Sequence, residues 1–237
     1  MALPKIDNTP YYDVTIPSTG ERTRYRPYLV KEEKVLLMAA ESTDDTQMSD
    51  AMLDIICKCF ENISPHKLTT FDMEYLFLQL RSKSVGESID LVYLCSECEV
   101  ENTVKVELAK SKPTIPKDKN NKITLKENMI LELKYPSYYD IVQDKILQKS
   151  QSNYEIIYQT VMLCLDKLQM DDELMHFADE PIEDVVEFIG NLSTEQFKKL
   201  SSFAETIPFI KQEVKFDCKG CKHPNVIEIE GMHNFFL

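Results

Sequence analysis

Leu91-Val-Tyr-Leu-Cys95-Ser-Glu-Cys98-Glu-Val-Glu-Asn-Thr-Val-Lys-Val-Glu107 and Val214-Lys-Phe-Asp-Cys218-Lys-Gly-Cys221-Lys-His-Pro-Asn-Val-Ile-Glu-Ile-Glu230 follow nearly one plan. In each, a strand runs into Cys-x-x-Cys, a short polar turn follows, and a second strand ends on an acidic residue. Such a knuckle turns its two sulfurs inward, and two knuckles facing one another supply the tetrahedral shell of four thiolates that zinc accepts at about 2.3 Å. Two thiolates seldom hold zinc against solvent, whereas four close the shell, so the repeat carries more weight than either motif alone. Cys95, Cys98, Cys218 and Cys221 are therefore assigned to one structural zinc ion. The 119 residues between Cys98 and Cys218 far exceed the spacing of about 15–20 in an ordinary ribbon, so the ribbon is expected to be split by an insertion. Two reduced pairs without metal, and His223 as a substitute ligand in one knuckle, stay open as alternatives.

Outward from the first knuckle, Tyr11 to Leu29 alternates apolar and polar residues about a turn containing Gly20, the pattern of a β-hairpin. From Val30 the period changes to that of a helix, with Val35, Leu36, Met38 and Ala39 opposite Lys31 to Lys34. Two more helices are expected at Ser49 to Asn62 and, after a Thr69-x-x-Asp72 capping signal, at Thr70 to Ser82. Ile89 to Leu94 and Thr103 to Leu108 read as the strands of the first knuckle. Residues 109–128, with six lysines, two prolines and Asn120-Asn121, read as a solvated linker. Met129 to Tyr135 returns to strand. From Pro136 helical sequence is expected for some seventy residues, with caps at Ser137 and at Ser193-x-x-Gln196 and a stripe of Tyr154, Ile157, Tyr158, Val161, Cys164, Leu165 and Leu168. Glu213 to Phe216 is again strand.

The expected fold is α+β: a split zinc-ribbon-like β portion with an N-terminal hairpin, plus a helical block inserted between the two knuckles. Its parts are an N-terminal hairpin and helices (1–88), the first knuckle and strands (89–135), a helical insertion (136–210), and the second knuckle with a C-terminal tail (211–237). Parts 89–135 and 211–237 are expected to pack together.

Composition narrows the function. Forty acidic against 27 basic residues give a formal charge of −13, which repels a phosphate backbone, so nucleic acid is not an expected partner. No run approaches the about 18 consecutive apolar residues of a membrane helix, and the first residues lack a signal-peptide pattern, so a protein that is neither membrane-bound nor exported is expected. An odd total of seven cysteines, with Cys57, Cys59 and Cys164 in apolar helical runs, fits a reducing compartment and buried thiols. Five glycines leave little material for a phosphate loop, and no nucleophile elbow or metalloprotease helix occurs. The acidic clusters at 43–45, 171–173 and 179–180 lack calcium-loop spacing and read as turns and caps. No catalytic residue and no small-molecule substrate is assigned.

The opening Tyr12-Asp-Val-Thr-Ile-Pro-Ser-Thr-Gly20, the block Tyr25-Arg-Pro-Tyr-Leu-Val-Lys-Glu-Glu-Lys34, the run Leu80-Arg-Ser-Lys-Ser-Val-Gly-Glu87 and the last Cys-x-x-Cys with Gly231 to Phe236 span nearly the whole chain. In these features the sequence resembles the T4-type bacteriophage baseplate hub assembly family. The resemblance implies a non-enzymatic, chaperone-like assembly factor or minor structural component of a contractile tail. Its implied partners are baseplate hub or tape-measure proteins, and its implied location is the cytoplasm of the infected bacterium or the virion baseplate. Tyr25, Arg26, Pro27 and Tyr28 are candidate partner contacts, since Arg and Tyr are over-represented at hot spots; the alternative is that they only connect hairpin to helix. Phe235 and Phe236 either fold onto the core or dock into a partner. Two rival functions are a zinc-ribbon nucleic-acid module using the lysine-rich 109–128 segment, and a thiol oxidoreductase. The second needs a Cys-x-x-Cys at a helix start, where strands are expected here.

Overall fold

The computed structural model describes residues 9–42, 45–108, 111–116, 121–144, 147, 149 and 152–230. In chain order they form β1 (Tyr12–Thr15), β2 (Arg22–Tyr25), α1 (Val30–Ala40), α2 (Asp45–Cys59), α3 (Thr70–Ser84), β3 (Ser88–Leu94), β4 (Glu101–Glu107), β5 (Lys122–Lys126) and β6 (Met129–Leu133). The order continues with α4 (Tyr138–Gln143), α5 (Asn153–Cys164), β7 (Leu165–Met170), β8 (Glu173–His176), α6 (Ile182–Gly190), α7 (Thr194–Glu205), β9 (Lys211–Asp217) and β10 (Pro224–Glu230). Helix and sheet are thus mixed, and the chain divides into two compact units. One holds the described residues up to Ile115 and from Phe209 on; the other is Pro116–Pro208.

In the first unit β1 and β2 make the expected hairpin, closed where Ile16 N donates to Glu21 O at 2.8 Å and Gly20 takes φ +75°. Only glycine adopts that left-handed geometry without cost. Helix α3 starts at the expected capping box: the Thr69 hydroxyl accepts from Asp72 N, and the Asp72 carboxylate accepts from Thr69 N at 3.0 Å. Asp72 is fully buried and also accepts from Ser18 N at 2.9 Å, which pins the hairpin turn to the helix. Phe71, Met73, Leu76, Phe77, Leu78 and Leu80 are buried on all sides of α3, the mark of a central helix. Helix α1 buries Glu32, Leu36 and Ala39 and exposes Val35 and Met38, so its inner face is narrower than the periodicity suggested.

Strands β3 and β4 pair antiparallel from Ser88↔Glu107 to Leu94↔Glu101, and β9 and β10 from Lys211↔Glu230 to Asp217↔Pro224. Both hairpins share one core: Ile89, Leu91, Val104 and Val106 from the first, Val214 and Ile229 from the second, with Leu78 of α3. Burying a side chain of this kind stabilises by about 1.5–3 kcal/mol, so the shared core alone draws two segments far apart in sequence together.

The second unit departs from the expected helical block. Its four-stranded antiparallel sheet has the order β5-β6-β7-β8. Strand β5 arises from the lysine-rich segment expected to be linker; its alternation of exposed and half-buried residues, with Ile123 and Leu125 against the core, explains how so polar a stretch is accommodated. Helix α5 ends at Cys164, and Leu165 and Leu168, expected on its apolar stripe, lie in β7. Leu131 pairs with Leu168 and Leu133 with Leu165, with a register shift between Glu132 and Leu133. That bulge sets two core-facing leucines three residues apart, which is also helical spacing. Asp171 at φ 52° makes the tight turn into β8. Helix α7 begins at the expected Ser193–Gln196 box, and Gln196 Nε2 also donates to Leu125 O at 3.0 Å. Leu131, Leu133, Val161, Leu165, Val185 and Leu200 are central to this unit's core.

Candidate metal centre

The two knuckles have matching backbones. In the first, Cys95 N donates to Val100 O at 3.0 Å and Glu99 N to Cys95 O at 3.0 Å; in the second, Cys218 N donates to His223 O at 2.9 Å and Lys222 N to Cys218 O at 3.0 Å. Glu99 and Lys222, each just after the second cysteine, both take left-handed conformations, at φ 56° and 64°. That residue reverses the chain so that both sulfurs of a pair point the same way. Gly220 of the second knuckle packs on Val100 of the first: a Cβ at Gly220 would stand 3.3 Å from Val100 Cγ2.

All four sulfurs lie within 4.8 Å of one another, with Cys95 Sγ to Cys221 Sγ at 3.7 Å and Cys98 Sγ to Cys218 Sγ at 3.6 Å. A tetrahedron with bonds of about 2.3 Å has edges of about 3.8 Å, so this spacing fits an ion held by four thiolates. Sulfurs in a disulfide stand about 2.05 Å apart; these four thiols are free. The set can hold a metal ion, and among the described residues it is the one group of three or more metal-type ligands close enough to do so. His223 contributes its backbone carbonyl and is not among the four ligand residues.

Two residues not singled out from the sequence complete the centre. Asn102 of β4 reaches the second knuckle: its Oδ1 accepts from Lys219 N at 2.8 Å and its Nδ2 lies 3.7 Å from Cys218 Sγ. Asn225 of β10 does the reverse, accepting from Ser96 N and Ser96 Oγ at 3.0 Å each and placing Nδ2 3.6 Å from Cys95 Sγ. Each Nδ2 also donates within its own knuckle, to Val100 O at 2.7 Å and to His223 O at 2.9 Å. The two asparagines are 4% and 6% exposed, so these bonds are sheltered from water. The signal was in the repeat: each lies four residues after its knuckle's second cysteine and in phase with the inward residues Val104 and Val106, or Ile227 and Ile229. A polar residue in an apolar slot, twice at the same offset, marks a built contact.

The electrostatics ask for a cation. Backbone N–H groups of Cys221 and Gly220, with the Cys98 and Asn102 side chains, push the Cys218 thiol down to about 6. Cys221 is drawn down by the His223 backbone, but its hydrogen bonds to Cys98, Cys95 and Cys218, together with burial, outweigh that and push it up to about 12. Four sulfurs this close cannot all be thiolates by themselves; a divalent ion supplies the missing positive charge, and its binding releases protons.

The remaining candidate residues are placed differently. Tyr25 is 2% exposed, stacks on Phe60 at 5.0 Å between ring centroids, and has its hydroxyl pushed up to about 12 by burial. Arg26 grips Glu32 with two hydrogen bonds of 2.7 and 3.0 Å, and this pair holds the Glu32 carboxyl below the usual carboxylate range. Pro27 O accepts from Arg26 Nη1, and half-buried Tyr28 donates its N–H to Ser84 Oγ at 3.0 Å. Phe235 and Phe236 lie outside the described residues. Of the three further thiols, Cys59 and Cys164 are buried as expected, whereas Cys57 is exposed on α2.

Fold and site together define a mixed helix-and-sheet protein with a four-thiol centre able to hold a metal ion. The family model described as T4 bacteriophage base plate protein matches residues 9–237, nearly the whole chain, and the chain belongs to that family. It is thus a phage baseplate-related protein, and membership points to other baseplate proteins as its associates and to the virion tail as its setting. Among the described residues no helix is long and apolar enough to cross a membrane. Neither the curated proteins nor the solved structures contain a match.

Proposed function

We propose that the chain is a non-enzymatic assembly factor or minor structural component of a contractile tail's baseplate hub, acting through contacts with hub or tape-measure proteins. In this reading Cys95, Cys98, Cys218 and Cys221 bind one structural zinc, and the hairpins β3–β4 and β9–β10 are the two halves of a split zinc ribbon. The second unit, Pro116–Pro208, is then carried as an insertion between them. The observation that carries the proposal is the closed set of four sulfurs at tetrahedral spacing in a member of a baseplate family. A catalytic zinc keeps a position open for water, and four thiolates leave none. A redox Cys-x-x-Cys draws its reactivity from a helix N-terminus, and here strands follow both pairs. Net charge of −13 disfavours a nucleic-acid partner. The work of such a protein is to present a stable frame to its partners in the infected cell or the tail. Phe235 and Phe236 remain candidate anchors, while Tyr25 to Tyr28 serve the frame.

Elemental analysis tests the centre: about one zinc per chain is expected from a closed four-thiolate shell, and metal-free protein with intact fold would overturn it. Affinity purification from phage-infected cells tests the role. Retention of identified hub or tape-measure proteins is expected; retention of none would remove the assembly reading.

A further inference from the structure

From Leu168 to Thr194 the chain has eight Asp and Glu residues and neither Lys nor Arg, so these 27 residues contribute more than half of the formal charge of −13. Strand β8, the short 3-10 turn Phe177–Asp179 and α6 arrange this segment beside an apolar hollow of about 230 Å³. Leu168, Met175, Phe177, Val185 and Phe188 line it, and Glu180 and Asp184 stand at its edge. The Phe177 and Phe188 rings meet at 5.4 Å with their planes 58° apart, giving the hollow an aromatic wall. Glu180 and Asp184 are exposed, and among the described residues neither has an ion-pair partner.

The hollow is smaller than the about 300–1,000 Å³ usual for small-molecule sites, so it suits a single anchoring side chain. Its rim decides what carries that anchor. Carboxylates around an apolar hollow repel nucleic acid, acidic lipid and most of a second copy of this acidic chain, and attract a cationic segment. We infer that the hollow docks a basic segment of a baseplate protein, which sets an apolar side chain against Phe177 and Phe188 while its Lys or Arg residues pair with Glu180 and Asp184. The inference rests on the proposal that the chain works by binding baseplate proteins, and it gives that binding a place and a sign.

The test is fluorescence anisotropy with full-length protein and a labelled amphipathic peptide of Lys and Leu, at low ionic strength, beside the same peptide with Glu for Lys. The basic peptide binds and the acidic one does not. Glu180→Lys with Asp184→Lys weakens binding about tenfold or more, the scale of opposing rim charges. Glu180→Gln with Asp184→Asn, which keeps the side-chain shapes and the helix start, gives a smaller loss in the same direction. Lys198→Glu with Lys199→Glu, on a separate hollow of opposite sign in the same unit, leaves binding unchanged. Amide shift changes on titration centre on Met175, Phe177 and Phe188. Equal binding by the charge variants, equal binding of the acidic peptide, or shift changes centred elsewhere would each overturn the inference. Self-association that competes with the peptide would overturn it in favour of a second copy. If wild type and charge variants retain the same identified hub proteins from infected cells, this surface is wrong and the assembly reading stands; if wild type retains none, that reading itself fails.

Discussion

Replacing Asn225 by alanine removes a side chain that holds one knuckle against the other without touching the fold's apolar core. Four contacts go: those to Ser96 N, Ser96 Oγ, His223 O and Cys95 Sγ. A neutral hydrogen bond contributes about 1 kcal/mol net, and a buried group left unpaired costs about 1–3 kcal/mol. Groups that orient metal ligands in this way are typically worth about 10–100-fold in affinity, which corresponds to about 1.4–2.8 kcal/mol. Zinc affinity, measured by competition with a chromophoric chelator, should therefore fall by about one to two orders of magnitude in Asn225→Ala. Asn102→Ala should match it, because Asn102 makes the mirror-image contacts to Lys219 N and Cys218 Sγ. Asn225→Asp supplies an independent check. It keeps the acceptor for Ser96 but turns a carboxylate oxygen toward the Cys95 sulfur, so its loss should be at least as large as that of alanine. If both alanine variants bind zinc within about threefold of wild type, below the range for such ligand-orienting contacts, the reciprocal asparagines are not part of the metal site.

Thiol reactivity should sort the seven cysteines by environment. In zinc-loaded protein Cys57 reacts quickly with a disulfide reagent, Cys59 and Cys164 only on unfolding, and chelation exposes four more; fast reaction of Cys164 in native protein would contradict its burial. Burial pushes Cys59 up to about 11 and Cys164 up to about 12 from 9.0. Since a raised pKa favours the neutral folded form, their contribution is complete below pH 9 and is lost as pH rises from 9 toward 12. Alkaline unfolding of Cys164→Ala monitored by circular dichroism should accordingly be less steep than that of wild type. Leu131→Ala, at a position with no exposure, should cost about 2–5 kcal/mol in the second unit while zinc content stays unchanged. Loss of zinc in that variant would contradict the assignment of the centre to the first unit. Arg26→Ala leaves Glu32, 5% exposed in its side chain, without its partner; because Arg26 itself is 18% exposed, the loss in denaturant titration should lie near the lower end of the about 3–5 kcal/mol for breaking a buried pair. A change below about 0.5 kcal/mol would show that the pair behaves as an exposed one.

The duplicated knuckles give the first unit a local symmetry that explains its economy. Each hairpin supplies two sulfurs, one left-handed residue and one asparagine, and the side-chain oxygen of each asparagine finds its donor on the opposite hairpin. Neither half is complete alone. The fold energy of the shared core and the binding energy of an ion at the centre therefore act on the same event, the meeting of residues 88–107 with residues 211–230.

Local chemistry was legible in the sequence wherever a short stretch carries its own instructions. The Cys-x-x-Cys repeat, the Thr69–Asp72 and Ser193–Gln196 boxes and the Gly20 turn each form from residues within a few positions of one another, and all are present in the structure. Family-level likeness was legible too, because its motifs run in order along the chain. Tertiary structure decided the rest. Lys122–Lys126 is a strand because β6 offers it an edge, and Leu165 and Leu168 are sheet because β6 holds them through a bulge whose three-residue spacing imitates a helix. Tyr25 and Arg26 have the composition of an interface, and only the tertiary structure sets them against Phe60 and Glu32. Asn102 and Asn225 acquire their role only when two hairpins more than a hundred residues apart meet. Short-range periodicity and capping are written in neighbouring residues; strand partners and reciprocal contacts depend on which distant surface arrives, and that is set by the burial of the two cores.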